Sequence, residues 1–225
     1  MRLLLISITL VLVACSGHNK KEVAQNQIVV KQELTAMLNT ILRAEQRPIE
    51  LRDSLIEIYG AESKEMQVQQ AVYEKNHIIN EKKIRDLLDE NGWPSKEQMG
   101  EFGNLTICNV IQHSDNAIRI KYLPLMRQAV KDKKLEPRFL VRAEDRIATE
   151  RGGLQIYGGQ MKYYPETKTF NVWPVYDPLN IDQRRAEIDL GPIAVYLKNR
   201  FNFEWNLEEQ LERTAEFEKE MKNNK

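Results

Sequence analysis

The chain has 225 residues, 33 basic and 33 acidic side chains, and a formal net charge of zero. That length suits one domain with at most a small appendage. No block of like charge stands out, so nucleic acid is not an expected partner, because a basic patch is the footprint of such binding.

In chain order, Met1-Arg2 is followed by an apolar run from Leu3 to Val13 and then by Ala14-Cys15-Ser16-Gly17. A basic start, a short apolar stretch and a small residue before the cut predict a signal peptide over 1–14. The run is too short to span a hydrocarbon core, which takes about 20 apolar residues. Leu12-Val13-Ala14-Cys15 resembles the lipobox of bacterial lipoproteins. The resemblance implies that the Cys15 sulfur receives a diacylglyceryl group and that cleavage leaves Cys15 as the first residue. Two or more acyl chains anchor a protein stably, at about 0.8 kcal/mol per buried CH2. The expected location is the cell envelope, with the membrane as partner through lipid on Cys15. Lipidation leaves Cys108 as the only thiol and rules out an internal disulfide. Cys108 lies among Leu105, Ile107 and Ile111 and is expected to be buried and inert.

Residues 15–27 are polar and without periodicity, which predicts a tether. N-terminal helices are expected over 28–91, packing on a main domain at 92–205. Leu34, Met37, Leu38, Ile41 and Leu42 recur at helical spacing, and a second helix is expected from Ile49 to Tyr59. A long helix from Ser63 to Asn91 would turn Val68, Val72, Ile79, Ile84, Leu87 and Leu88 inward, with His77 solvated. Gly92 and Pro94 stop it. Ser95 and Gln98 have capping-box spacing. Further helices are expected over Leu105–Ser114, Asn116–Lys133 with a kink or restart at Pro124, and Glu136–Thr149.

Gly152-Gly153 ends the helical region. Gln160–Tyr164 and Thr169–Trp173 are rich in strand formers and flank Pro165-Glu166-Thr167-Lys168, so a β-hairpin is expected at about 160–173. Short helices at Ile181–Ala186 and from Gly191-Pro192 to Phe201 follow. Asn206 can cap a charged C-terminal helix over 206–225. The expected fold class is mainly α (α+β), a multi-helix domain with one small late β-hairpin.

Gly92-Trp93-Pro94, Gln112-His113-x-Asp115, Leu123-Pro124-Leu125, Asp145-Arg146-Ile147, Gly152-x-x-Gln155-x-Tyr157-Gly158-x-Gln160 and Arg184-Arg185 stand in one order between Gly92 and Tyr196. This order resembles a bacterial domain family of unknown function. The resemblance implies a domain and no reaction. The family usually carries threonine where this chain has Gly159.

Several of these residues can carry chemistry on their own account. His113 can act as acid, base or ligand near neutrality. Asp115, two positions away, faces it only if the helix ends between them. Otherwise Gln112 or His113 would hydrogen-bond a helix end. Arg146 falls on the apolar side of its helix, and a buried arginine requires an anionic partner. Asp115, Asp145, Asp177 or an anionic ligand would serve. Gln155, Tyr157 and Gln160 gather donors and acceptors around glycines, as a ligand wall or as a way to orient the hairpin. Arg184 and Arg185 could neutralise an anion or pair with Asp177, Asp182 and Glu187. No metal motif, dinucleotide loop or serine-hydrolase elbow is present, so no cofactor is expected. The expected function is an envelope module that binds a small ligand or an envelope protein. The alternative is a hydrolase or transferase using His113 as general acid or base, with Asp115 or Asp145 orienting it and Arg146 stabilising an anion.

Overall fold

The computed structural model describes residues 16–60, 62–164 and 169–223. The expected signal peptide, Cys15 and the turn at 165–168 lie outside the described residues.

Helix α1 spans Ser16–Tyr59 and returns through α2, Lys64–Asn91. Then come α3 (Lys96–Met99), α4 (Gly103–His113), α5 (Asn116–Lys131) and α6 (Pro137–Glu150). Strands β1 (Met161–Tyr164) and β2 (Thr169–Val172) pair antiparallel, with Met161 opposite Val172 and Tyr164 opposite Thr169. A 3-10 turn at Pro178–Asn180 leads into α7 (Ile181–Ala186), followed by α8 (Ile193–Phe201) and α9 (Leu207–Asn223). The mainly helical class with one late hairpin is as expected.

The helix ends follow local rules. Ser63 accepts the Met66 N–H at the start of α2 (3.3 Å), and Gly92 at φ 67° donates back to the Leu88 carbonyl at its end. Gln98 accepts the Ser95 N–H at 2.8 Å within the expected capping box. Asn206 accepts the N–H groups of Glu208 and Glu209 and opens α9.

Five expectations are corrected. The backbone is helical from Ser16, where a polar tether was expected. Lysine, glutamate, glutamine and alanine are good helix formers, and a helix nucleated by packing downstream propagates cheaply. The two helices expected before Tyr59 are one, although Pro48 lies inside it. Proline cannot donate to the carbonyl four residues back. Here Asn76 of α2 supplies the missing donor, its Nδ2 lying 3.0 Å from the Ala44 carbonyl. Likewise α5 runs through Pro124 without restarting. On α2, Val68, Val72 and Ile79 are exposed rather than inward. The stripe facing α1 there is polar, with Asn76 and His77 half-buried and Asn80 buried, so His77 is not the solvated residue expected.

Two apolar cores result. The larger joins Leu38 and Ile41 of α1, Ile84 and Leu88 of α2, Trp93, and α4 to α6 through Ile107, Ile111, Met126 and Leu140. Cys108 belongs to it, 1% exposed, with its thiol pushed well up by burial. The smaller core gathers Val172, Val175, Ile181, Ile193 and Leu197 under the hairpin. Helix α9 closes it with polar side chains: Thr214 bonds both backbone groups of Val175, and Gln210 donates to the Trp173 carbonyl.

Candidate functional site

The two cores meet where α6 faces the loop at 155–160. Asp145, fully buried on α6, accepts the N–H groups of Ile156 (2.7 Å), Tyr157 (2.8 Å) and Gly159 (2.7 Å). Burial pushes its carboxyl up to about 6, against the pull of those three donors. Gln155, also fully buried, donates to the carbonyls of Gln160 (3.1 Å) and Trp173 (2.7 Å) and accepts the Gln160 N–H (2.8 Å). Gly158, at φ 80°, lies so close to Ile193 that an added Cβ would sit 2.6 Å from its Cδ1. Arg184 donates to the carbonyls of Ile156, Tyr176 and Asp177 and pairs with the Asp177 carboxylate at 3.6 Å. Asp145, Gln155 and Arg184 therefore fix the loop from three sides, and their polar atoms are spent on doing so.

Arg185 is different. It is 3% exposed and donates to the carbonyls of Gly191 and Tyr157, both at 2.7 Å, with its guanidinium 4.9 Å from the Tyr196 ring centre. No carboxylate forms an ion pair with it among the described residues, and burial lowers its pKa. It lines a cavity of about 530 Å³ together with Arg138, Arg142, Arg200, Tyr157, Tyr196 and the loop-bound Asp145. Arg138, Arg142 and Arg200 likewise have no ion-pair partner among the described residues, whereas nearby Arg127 and Arg146 are paired to Glu144 and Glu150. A second cavity of about 350 Å³ shares Arg142, Gly159 and Arg200 with the first and adds Gln112, His113, Arg146 and Gln160.

The chain belongs to the family of unknown function DUF6624, whose profile matches residues 30–203. Comparison with curated proteins and with solved structures finds no match. The DUF6624 match takes in the helices before Gly92, where no motif had been recognised, and both cavities. The double cleft is thus a feature of the DUF6624 part of the chain, while α9, after the match, closes the smaller core from behind.

The pairings expected for His113 do not form. Asp115 accepts the Ile118 N–H at 2.8 Å and caps α5, and Asp145 is held by the loop. Neither lies within ion-pair reach of His113. Arg146 is not inward: it is half-exposed and bonds Glu150 at 3.0 Å, one helical turn on. His113 itself lies exposed at the mouth of the smaller cavity, with its pKa lowered by partial burial and then by the charge of Arg146.

The histidine that is held by a carboxylate is His77. Its Nδ1 lies 3.1 Å from Glu45 Oε2, and Asn80 donates to Glu45 Oε1 at 2.8 Å. Tyr73 stacks on the His77 ring at 5.7 Å, and His113 meets that ring edge-on at 6.5 Å. Burial and the Glu45 charge push the Tyr73 phenol up to about 12. The His77 Nε2 is buried and has no hydrogen-bond partner among the described residues. Sequence carried two signals for what was missed. Tyr73, Asn76, His77 and Asn80 form a polar stripe at helical spacing, and Arg138, Arg142 and Arg146 recur every fourth residue along α6. Among the described residues no three His, Cys, Asp or Glu side chains converge as a metal site would need, and no helix is long and apolar enough to cross a membrane.

Proposed function

We propose that the protein is a lipid-anchored bacterial envelope module that binds a small anionic ligand in the arginine-lined cleft. The observation that carries this is an excess of positive charge, four guanidiniums against the single carboxyl of Asp145, which the loop amides already hold. Arg138, Arg142, Arg185 and Arg200 surround one cavity, and none has a carboxylate partner among the described residues. Like charges one helical turn apart oppose folding, and a buried guanidinium is costly unless an anion meets it. A bound carboxylate or phosphate removes both penalties and is recognised bidentately. Lipidation of Cys15, supported by Leu12-Val13-Ala14-Cys15, would hold the cleft beside a membrane. An acid–base role for His113 has less support, because Asp115 and Asp145 serve a helix cap and a loop instead.

Calorimetric titration with citrate and with inorganic phosphate tests the binding reading. Arg142→Gln and Arg200→Gln should each weaken binding about tenfold, equivalent to 1.4 kcal/mol. Unchanged affinity in both variants, or no binding to the wild type, refutes it. For the anchor, Cys15→Ser should shift the protein from the membrane to the soluble fraction; an unchanged distribution argues against lipid attachment.

A further inference from the structure

We infer that the anion bound in this cleft is a condensed phosphate, two or more linked phosphoryl groups laid along the arginine row of α6 so that the chain reaches both cavities. This deepens the anion-binding reading and rests on it. Positive charge runs through the two cavities without a break. Arg142 and Arg200 line both, Arg138 and Arg185 add to the larger, and Arg146 adds to the smaller. The carboxyls that answer them are few. Asp145 lines the larger cavity with both oxygens taken up by loop amides, and Glu150, the partner of Arg146, is shared with Arg119. Setting these two carboxyls in full against the five lining guanidiniums still leaves three positive charges. A phosphate monoester brings about two negative charges at most, and a single carboxylate fewer still. Two or more linked phosphoryl groups match the excess.

The positions match as well. Arg138, Arg142 and Arg146 recur every fourth residue on one side of α6, so their Cα atoms rise about 6 Å apart and the row is about 12 Å long. Arg142 stands in the middle of that row, where the two cavities meet, and Arg200 of α8 joins it there. Gly159 lines both cavities too and contributes no side chain to their boundary; an added Cβ would sit 3.1 Å from Asp145 Oδ2. A linear ligand can therefore keep one phosphoryl group on each side of Arg142. Guanidiniums bind phosphoryl oxygens two at a time, which suits a chain of linked phosphates better than isolated charges. Exposure is graded along the cleft: Arg185 is buried, Arg142 half-buried, and Arg138 and Arg200 exposed, so an incoming anion meets a charged rim and then a charged floor. Size agrees: volumes of about 530 and 350 Å³ exceed what one phosphate fills and lie in the range of small-molecule sites, about 300–1,000 Å³ each.

The test titrates the folded protein, without divalent cations, with inorganic phosphate, diphosphate, triphosphate, citrate and ADP. Diphosphate and citrate carry similar charge at neutral pH, so their comparison separates linked phosphoryl groups from charge alone. Diphosphate and triphosphate should bind at least tenfold more tightly than phosphate or citrate. Arg146→Gln removes a guanidinium from the smaller cavity alone, and should weaken triphosphate about tenfold and phosphate by much less. Arg151→Gln, one residue beyond α6 and outside both linings, should leave triphosphate unchanged. ADP binding more tightly than diphosphate marks an organic diphosphate, its substituent along Val141, Leu190 and Tyr196 of the larger cavity; equal or weaker binding marks the inorganic chain, and the inference holds either way. If phosphate, citrate and the condensed phosphates bind alike, or citrate binds most tightly, the inference fails while the anion reading stands. Equal losses in Arg146→Gln and Arg151→Gln overturn it as well. If no anion binds, both fail together. The wild-type ligand series decides the matter even where a variant does not fold.

Discussion

Pro48 offers the sharpest test of how this chain holds its longest helix. The Ala44 carbonyl would lose its helical donor at Pro48 and receives Asn76 Nδ2 instead, at 3.0 Å across the α1–α2 interface. Removing that donor forfeits a bond worth about 1 kcal/mol and strands a part-buried acceptor at about 1–3 kcal/mol. Asn76→Ala should therefore destabilise the protein by about 2 kcal/mol. Pro48→Ala restores a backbone N–H to the Ala44 carbonyl and improves helix propensity by about 3 kcal/mol, offset in part by lost packing of the buried ring. With Ala at 48, the carbonyl no longer depends on Asn76, and Asn76→Ala should cost only about 0.5 kcal/mol. The double-mutant cycle, read by urea unfolding of the four proteins, should give a coupling of about 1.5 kcal/mol. Additivity within about 0.5 kcal/mol would refute the substitution of a side-chain donor for a helical one.

Other outcomes follow from the site. Gly158→Ala meets a positive φ, at about 1–2 kcal/mol, and a Cβ contact of 2.6 Å with Ile193, at about 1–3 kcal/mol more. Gly152→Ala, at φ 71° with nothing within 4 Å, should show the first cost alone, so equal losses in chemical denaturation would contradict the packing. Asp145 is raised by burial from 3.8 to about 6, so the folded state holds its proton more tightly than the unfolded chain. Its contribution is full below pH 3.8 and is lost as pH rises through about 6, a change of about 3 kcal/mol at 1.36 kcal/mol per decade. The stability of wild type minus that of Asp145→Asn should fall by nearly that amount between pH 3 and 7; a constant or rising difference counts against it. Cys108, 1% exposed with its thiol pushed up, should resist iodoacetamide until the protein unfolds, and rapid labelling of the native state would contradict its burial.

Much of the fold was legible because it rests on local rules. Helix ends at Ser63, Gly92 and Asn206 follow from capping chemistry, and the hairpin from two runs of strand formers. Apolar spacing located Leu38, Ile41, Ile84 and Leu88 in the core. The same logic failed at Val68, Val72 and Ile79, because α1 and α2 meet there through Glu45, His77 and Asn80, and apolar periodicity is blind to a polar interface.

At the cleft the motif residues were found with two roles left open, ligand binding or internal pairing, and the structure separates them. Asp145, Gln155 and Arg184 looked like ligand-binding groups because they are polar and clustered. Folding spends them on backbone amides and carbonyls, since a loop joining two cores buries polar groups that need partners. Arg138, Arg142 and Arg200 carried no motif, yet with Arg185 they line the cleft without an ion-pair partner among the described residues.

The sequence by itself determined most of the helices after Tyr59, the hairpin, and that Cys108 is buried, because these depend on propensity, capping and hydrophobic spacing within a few residues. It also holds, in Leu12-Val13-Ala14-Cys15, the whole basis for the proposed anchor. Only the tertiary structure decided that α1 passes through Pro48, that Glu45 holds His77 instead of an aspartate holding His113, and which arginines stay unpaired. Each of these is set by a partner far along the chain, as far as Glu45 is from Asn80, 35 positions away. Which partner a polar group finds depends on how helices dock, and no local rule contains that.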